Sequence, residues 1–200
     1  MIYIFEILFL VATYFIAAIP FGLVLTKIFT GQDIRQSGSG NIGATNVARV
    51  AGKKLGIATL ILDGVKGAIM VILARYLFDS AGNLSVFLCF VGAIAVLGHI
   101  FPIYLKFKGG KGVATTLAVL LVVNPVIGVM AGLSWLIIFL LTKTSSMSSL
   151  ASMFITAGFT LYSRALTEEI ILTVFLATLI FIRHKENIAR ILDGTESKFK

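Results

Sequence analysis

The chain has a single cysteine, Cys89, so no disulfide can form within it. Histidine is nearly as scarce, with His99 and His184 alone, and no spacing of Cys, His and carboxylates suggests a metal site. No metal and no cofactor are therefore expected. Charge is thin as well: charged residues make up 13% of the 200, with 9 acidic against 17 basic side chains. What is abundant is apolar. Hydrophobic residues account for 58% of the chain, more than one soluble core of this size can hide, so lipid must solvate much of the surface. The first apolar run lacks a basic segment before it, is too long for a signal peptide and is followed by several more, which makes it a retained helix.

A helix needs about 20 apolar residues to cross a bilayer. Seven helices are expected, over residues 3–28, 57–78, 84–104, 112–123, 126–142, 148–163 and 168–185. The long run 113–142 is divided at Asn124-Pro125 because Lys106, Lys108 and Lys111 precede it and Lys143 follows it; all four share one face only if the run crosses an even number of times. The expected fold class is thus an all-α polytopic membrane protein with seven transmembrane helices, forming one domain over 1–200. An extracytoplasmic N-terminus and a cytoplasmic C-terminus put most lysines and arginines on one side, leaving Arg75 and Arg164 on the other. The formal charge of +8, and the lysines of the far C-terminus in particular, also suit attraction to anionic lipid headgroups.

Three polar segments fall on the basic side. In "GSGNIGATNVAR", Gly38, Gly40 and Gly43 free the backbone to expose N–H groups, and a helix starting at Ala44 adds a positive dipole end. Ser39, Asn41, Thr45 and Asn46 contribute neutral donors, and Arg49 can grip the same anion bidentately. In "KFKGGKGVATT", Gly109, Gly110 and Gly112 surround Lys111 and lead into a helix with Thr115 in its first turn, a second oxyanion cradle without Walker A spacing. In "RHKENIARILDG", a helix continued to Leu192 would align Arg183, Asn187 and Arg190, with His184 beside Asn187. The bland alternatives are a flexible connector, a glycine hinge with snorkelling lysines, and a positive-inside stop signal. Elsewhere Asp63 and Lys66, at i and i+3 inside the second span, read as a structural ion pair. His99 reads as a satisfied buried histidine, and the serines from Ser145 to Ser152 as helix caps.

Neither histidine has an aspartate five positions on, so the His-x4-Asp pair of many lipid acyltransferases is missing. The three segments on seven short spans nevertheless resemble, over almost the whole chain, the bacterial acyl-phosphate:glycerol-3-phosphate acyltransferases. That resemblance implies transfer of a fatty acyl group from acyl phosphate to glycerol-3-phosphate in a bacterial cytoplasmic (inner) membrane, with the site facing the cytoplasm. Carried over by position, it assigns Ser39, Arg49, Lys111, His184 and Asn187 to catalysis. Gly40, Asn41, Thr45, Asn46, Gly110, Gly112, Thr115 and Ser149 fall to substrate binding. The implied partners are the two substrates and membrane lipids, with no nucleic acid, and a monomer is compatible with this reading. The competing class is a small organophosphate or phosphate transporter, which glycine-rich loops and half-length helices also suit.

Overall fold

The computed structural model describes residues 2–79 and 82–199. Its described residues form ten α-helices: α1 (Ile2–Ala17), α2 (Phe21–Thr30), α3 (Ala44–Val50), α4 (Lys53–Leu77), α5 (Leu84–Ile100), α6 (Val113–Val123), α7 (Pro125–Thr142), α8 (Ser145–Tyr162), α9 (Thr167–Arg183) and α10 (Lys185–Leu192). Two single 3-10 turns, Ile34–Gln36 and Ile103–Leu105, lie in the connecting loops. Four stretches are long and apolar enough to cross a membrane, namely Ile4–Thr30 taken through its kink, Lys53–Leu77, Leu84–Leu105 and Pro125–Thr142.

The helix expected over residues 3–28 is in fact two. Pro20 has no N–H to continue the ladder and caps α2 at φ −89°, so the chain kinks between Ala17 and Phe21. The kink frees the carbonyl of Ile19, which accepts the ammonium of Lys66 at 2.7 Å. Lys66 also lies 2.9 Å from Asp63, so the expected ion pair is present, and a backbone carbonyl completes it. Both residues are almost fully buried, where an unpaired charge would be expensive.

The division of the 113–142 run holds, for local reasons. The Asn124 side chain accepts from the N–H groups of Val126 and Ile127, at 3.0 and 3.3 Å, and Pro125 occupies the first position of α7. Across this turn a Cβ on Gly128 would sit 2.1 Å from Leu121, so glycine is what lets α6 and α7 close.

α5 runs through the centre of the bundle, with Val91, Ala95, Val96 and Ile100 fully buried against Val71, Val119, Leu176 and Ile180. Large apolar side chains cover the outside instead, Ile61, Leu141, Phe154 and Ile171 among them, as expected of a surface in lipid. The loops before α3, before α6 and before α8, and the segment after α9, gather at one end. The turns at Asn124 and Leu166 lie at the other, where Asn124 donates to Glu169 at 3.0 Å.

Candidate active site

At the loop-rich end the three polar segments and the start of α8 enclose a cavity of about 510 Å³. Of the residues expected there, Ser39, Asn41, Thr45, Asn46, Arg49, Lys111, Gly112, Ser149, His184 and Asn187 line its wall. Gly40, Gly110 and Thr115 do not.

The first loop is held by Asn46. Its amide nitrogen lies 2.9 to 3.3 Å from the carbonyls of Asn41, Ser37 and Ile34, and its oxygen accepts the N–H of Ser39 at 2.9 Å. Asn46 is 1% exposed and fully committed, so it shapes the loop instead of offering donors to an anion. Gly38 turns the loop at φ +60° against that amide. Thr45, on the first turn of α3, hydrogen-bonds Ser145 at 3.0 Å, while Arg49 reaches the solvent side of the cavity.

The second loop packs on α5. Gly110 donates to the carbonyl of His99 at 3.2 Å, and a Cβ there would lie 2.1 Å from His99 Nε2, so Gly110 serves close approach and not ligation. Thr115 is likewise turned inward, donating to the carbonyl of Asp63 at 2.8 Å and tying α6 to α4. Gly112, at φ +87°, begins α6 with no side-chain cap, which leaves the first-turn N–H groups of Val113 and Ala114 at the cavity wall for an anion. His99 is buried, as expected, but its Nδ1 stops 3.6 Å from Asp63, and both residues border the cavity floor.

The third segment breaks at His184 and is not one helix to Leu192. The break swings Arg183 away, toward the carbonyl of Gly109 at 3.4 Å and the ring of Phe101, and turns Asn187 and Arg190 into the cavity. Lys111 donates to the oxygen of Asn187. Burial, reinforced by the charge of Arg190, lowers the Lys111 ammonium to about 8. His184 sits just beyond the end of α9, bonded through Nδ1 to the carbonyl of Ile180 at 2.8 Å. Because a carbonyl only accepts, Nδ1 carries the proton and Nε2 keeps its lone pair. Burial and the nearby Lys111 lower its pKa to about 4, so the ring is neutral.

The serines of α8 do not cap it. Ser148 and Ser149 bond back to the carbonyls of Thr144 and Ser145, both at 2.8 Å, and Ser149 also accepts from Trp135 Nε1 at 3.1 Å. Trp135, Leu60 and Leu117 give the cavity an apolar flank.

Sequence reasoning missed the C-terminal tail. Glu196 returns into the site and accepts hydrogen bonds from Ser146 (2.6 Å), Asn187 (2.6 Å) and Arg190 (2.7 Å). Burial would raise its carboxyl, but these donors outweigh it and hold the group below the ordinary glutamate range.

A multi-pass helical bundle with a cationic, donor-rich pocket beside an apolar flank defines an integral-membrane protein built to handle phosphorylated, lipid-like molecules. The family model described as glycerol-3-phosphate acyltransferase matches residues 7–194. The glycerol-3-phosphate acyltransferase of Caulobacter vibrioides is 48% identical over 189 residues, covering 94% of this chain and 85% of its own. That of Syntrophotalea carbinolica is 47% identical over 194 residues, covering 96% of each. Two crystal structures of PlsY (YgiH), an integral membrane glycerol 3-phosphate acyltransferase, superpose on this fold. Its glycerol 3-phosphate form is 38% identical, with TM-score 0.90, over 98% of this chain and 96% of that one. Its lysphosphatidic acid form is 37% identical, with TM-score 0.87, over 98% and 95%. This chain belongs to the glycerol-3-phosphate acyltransferase family.

Proposed function

We propose that this protein transfers a fatty acyl group from acyl phosphate to the primary hydroxyl of glycerol-3-phosphate, releasing lysophosphatidate and inorganic phosphate. Family membership supplies the acceptor and the acyl transfer; acyl phosphate as donor, the residue roles and the topology are our reading. The observation that carries it is the convergence of Arg49, Lys111 and Asn187 on one cavity, from three segments far apart in sequence. Both substrates bear a phosphate and one bears a long chain, which matches cationic groups and helix starts beside Trp135, Leu60 and Leu117.

Acyl phosphate is a mixed anhydride with a good leaving group, so no acyl-enzyme is required. Among the described residues no hydroxyl bonds to His184, whose ring bond goes to a backbone carbonyl. The reaction is direct: the glycerol oxygen forms a bond to the acyl carbon, the carbon–oxygen bond to phosphate breaks, and the hydroxyl proton passes to the departing phosphate. Lys111 and the first-turn amides of α6 stabilise the charge that develops on the acyl phosphate. Arg49, at the solvent side, grips the phosphate of glycerol-3-phosphate. His184 Nε2 accepts from the neighbouring secondary hydroxyl of glycerol-3-phosphate, which orients the primary hydroxyl and leaves its proton for the phosphate.

Seven spans with an extracytoplasmic N-terminus put this pocket at the inner leaflet of the bacterial cytoplasmic membrane, where a soluble acceptor meets a lipid-like donor. Purified protein in detergent, where no gradient exists, is expected to form lysophosphatidate from the two substrates. Absence of product would overturn the assignment.

A further inference from the structure

Past α10, Gly194 reverses the chain at φ +68° and residues 195–199 run back along the cavity, where Glu196 and Ser197 line its wall and Phe199 reaches Lys143. The strap is held at both ends. At its start, Thr195 and Glu196 donate their N–H groups to the carbonyl of Arg190 at 2.8 and 3.1 Å, beside the seated Glu196 carboxylate. At its far end, Phe199 donates to the carbonyl of Lys143 at 2.8 Å and packs its ring edge-on against Phe139, 5.5 Å between centroids. From the middle of the strap and from its far anchor, two contacts fall on one member of the proposed anion site. Arg49 Nη2 donates to the carbonyl of Ser197 at 2.9 Å, and its guanidinium carbon lies 4.9 Å from the Phe199 ring centroid.

One contact acts on an edge of the guanidinium and the other on its face, so together they restrict both its direction and its rotation. A guanidinium matches a phosphate only when its planar fork is oriented, and an exposed arginine on a short helix such as α3 is otherwise free to swing. Fixing it beforehand removes that ordering from the binding step. The family model's match stops at residue 194, before the strap begins.

We propose that Phe199, with the carbonyl of Ser197, is a positioning residue that holds Arg49 in the orientation that receives the phosphate of glycerol-3-phosphate. This rests on the reading of Arg49 as a ligand of that phosphate. Phe199 touches no substrate in this arrangement and acts through Arg49.

The test is steady-state kinetics of purified Phe199→Ala, Phe199→Leu and Phe199→Tyr proteins. Ala and Leu are expected to raise the KM for glycerol-3-phosphate about tenfold, with kcat and the KM for acyl phosphate within about twofold of the parent. Tyr, which restores the ring face, returns the KM to near the parent value. Leu, which keeps bulk against Phe139, guards against an Ala protein that simply fails to fold. In an Arg49→Lys background the Leu change is expected to add less than about twofold, read as Kd by calorimetry if turnover is too slow to follow. Rescue by Leu, a loss confined to kcat, or an undiminished effect in the Arg49→Lys background would each overturn the positioning role. A parent enzyme that makes no lysophosphatidate would instead overturn the function, which keeps the two failures apart.

Discussion

Lys111→Met keeps most of the lysine stem and removes the ammonium, separating what that charge does for catalysis from what it does to stability. The group is held at about 8 against an ordinary 10.5, a gap worth about 3 kcal/mol against the protonated form in the folded protein. The folded protein binds fewer protons than the unfolded chain between those two values. The penalty is therefore complete below about pH 8 and is relieved as pH rises toward 10.5. Methionine removes it but leaves the oxygen of Asn187 without its donor, at a cost of about 1–2 kcal/mol. At pH 7 the variant is thus expected to match the parent in stability or exceed it by up to about 2 kcal/mol. Catalysis goes the other way. Losing one preorganised donor to the developing charge costs about 10²- to 10³-fold in kcat, and losing a charge-assisted phosphate contact adds about tenfold or more in KM. Together kcat/KM is expected to fall at least about 10³-fold. Initial rates of lysophosphatidate formation in detergent give the first quantity, and thermal unfolding followed by the fluorescence of Trp135, the sole tryptophan, gives the second. A variant within tenfold of the parent, or one that unfolds well below it, would refute the reasoning.

Arg49→Lys replaces a planar fork with a point charge and is expected to raise the KM for glycerol-3-phosphate by about tenfold or more; an unchanged KM would remove bidentate gripping. His184→Ala is expected to lose less than about 10²-fold in kcat, because a ring held at about 4 is a poor base; a loss of about 10⁴-fold would assign it the proton transfer. For the parent enzyme, kcat/KM is expected to decline as pH rises above about 8 and Lys111 loses its proton; a flat profile to pH 9.5 would show that its charge is not needed. Glu196→Ala strips Ser146, Asn187 and Arg190 of a shared acceptor and is expected to cost about 1–3 kcal/mol locally, because Arg190 stays partly in water, seen as loss of activity with early proteolysis at Lys198. Because the folded carboxyl is held below its unfolded value, its contribution is present above that value and vanishes as pH falls through the lowered one. Unaltered activity in the Ala variant would contradict the network.

What the sequence makes legible here is what local chemistry decides. Asn124 and Pro125 specify a helix start by themselves, and Gly112 followed by Val113 and Ala114 does nearly the same for α6. Pro20 was an equally local signal, and a single helix drawn through it over residues 3–28 overlooks what proline does to a ladder. Orientation is a different matter. Thr115 and Asn46 have the residue types an anion site wants, but whether each turns to the cavity or inward depends on Asp63 in one case and on three loop carbonyls in the other. The tail is the extreme case: the contacts that seat it join Glu196 to Ser146 and Ser197 to Arg49, 50 and 148 residues apart, and no periodicity reports pairings of that kind. A polar, lysine-bearing end reads as a headgroup-seeking extension, and the discordant signs were a carboxylate and an aromatic within it. A carboxylate is out of place in a pocket proposed for anions until its partners are considered. Arg190, Lys111 and Arg49 crowd one partly buried site, where unpaired cations repel one another and pay for lost water. Glu196 neutralises Arg190 and leaves Lys111 and Arg49 as the pair that the proposed function assigns to phosphate, so the chain carries its own counter-ion and the pocket's charge is divided between a structural pair and the cations proposed for chemistry.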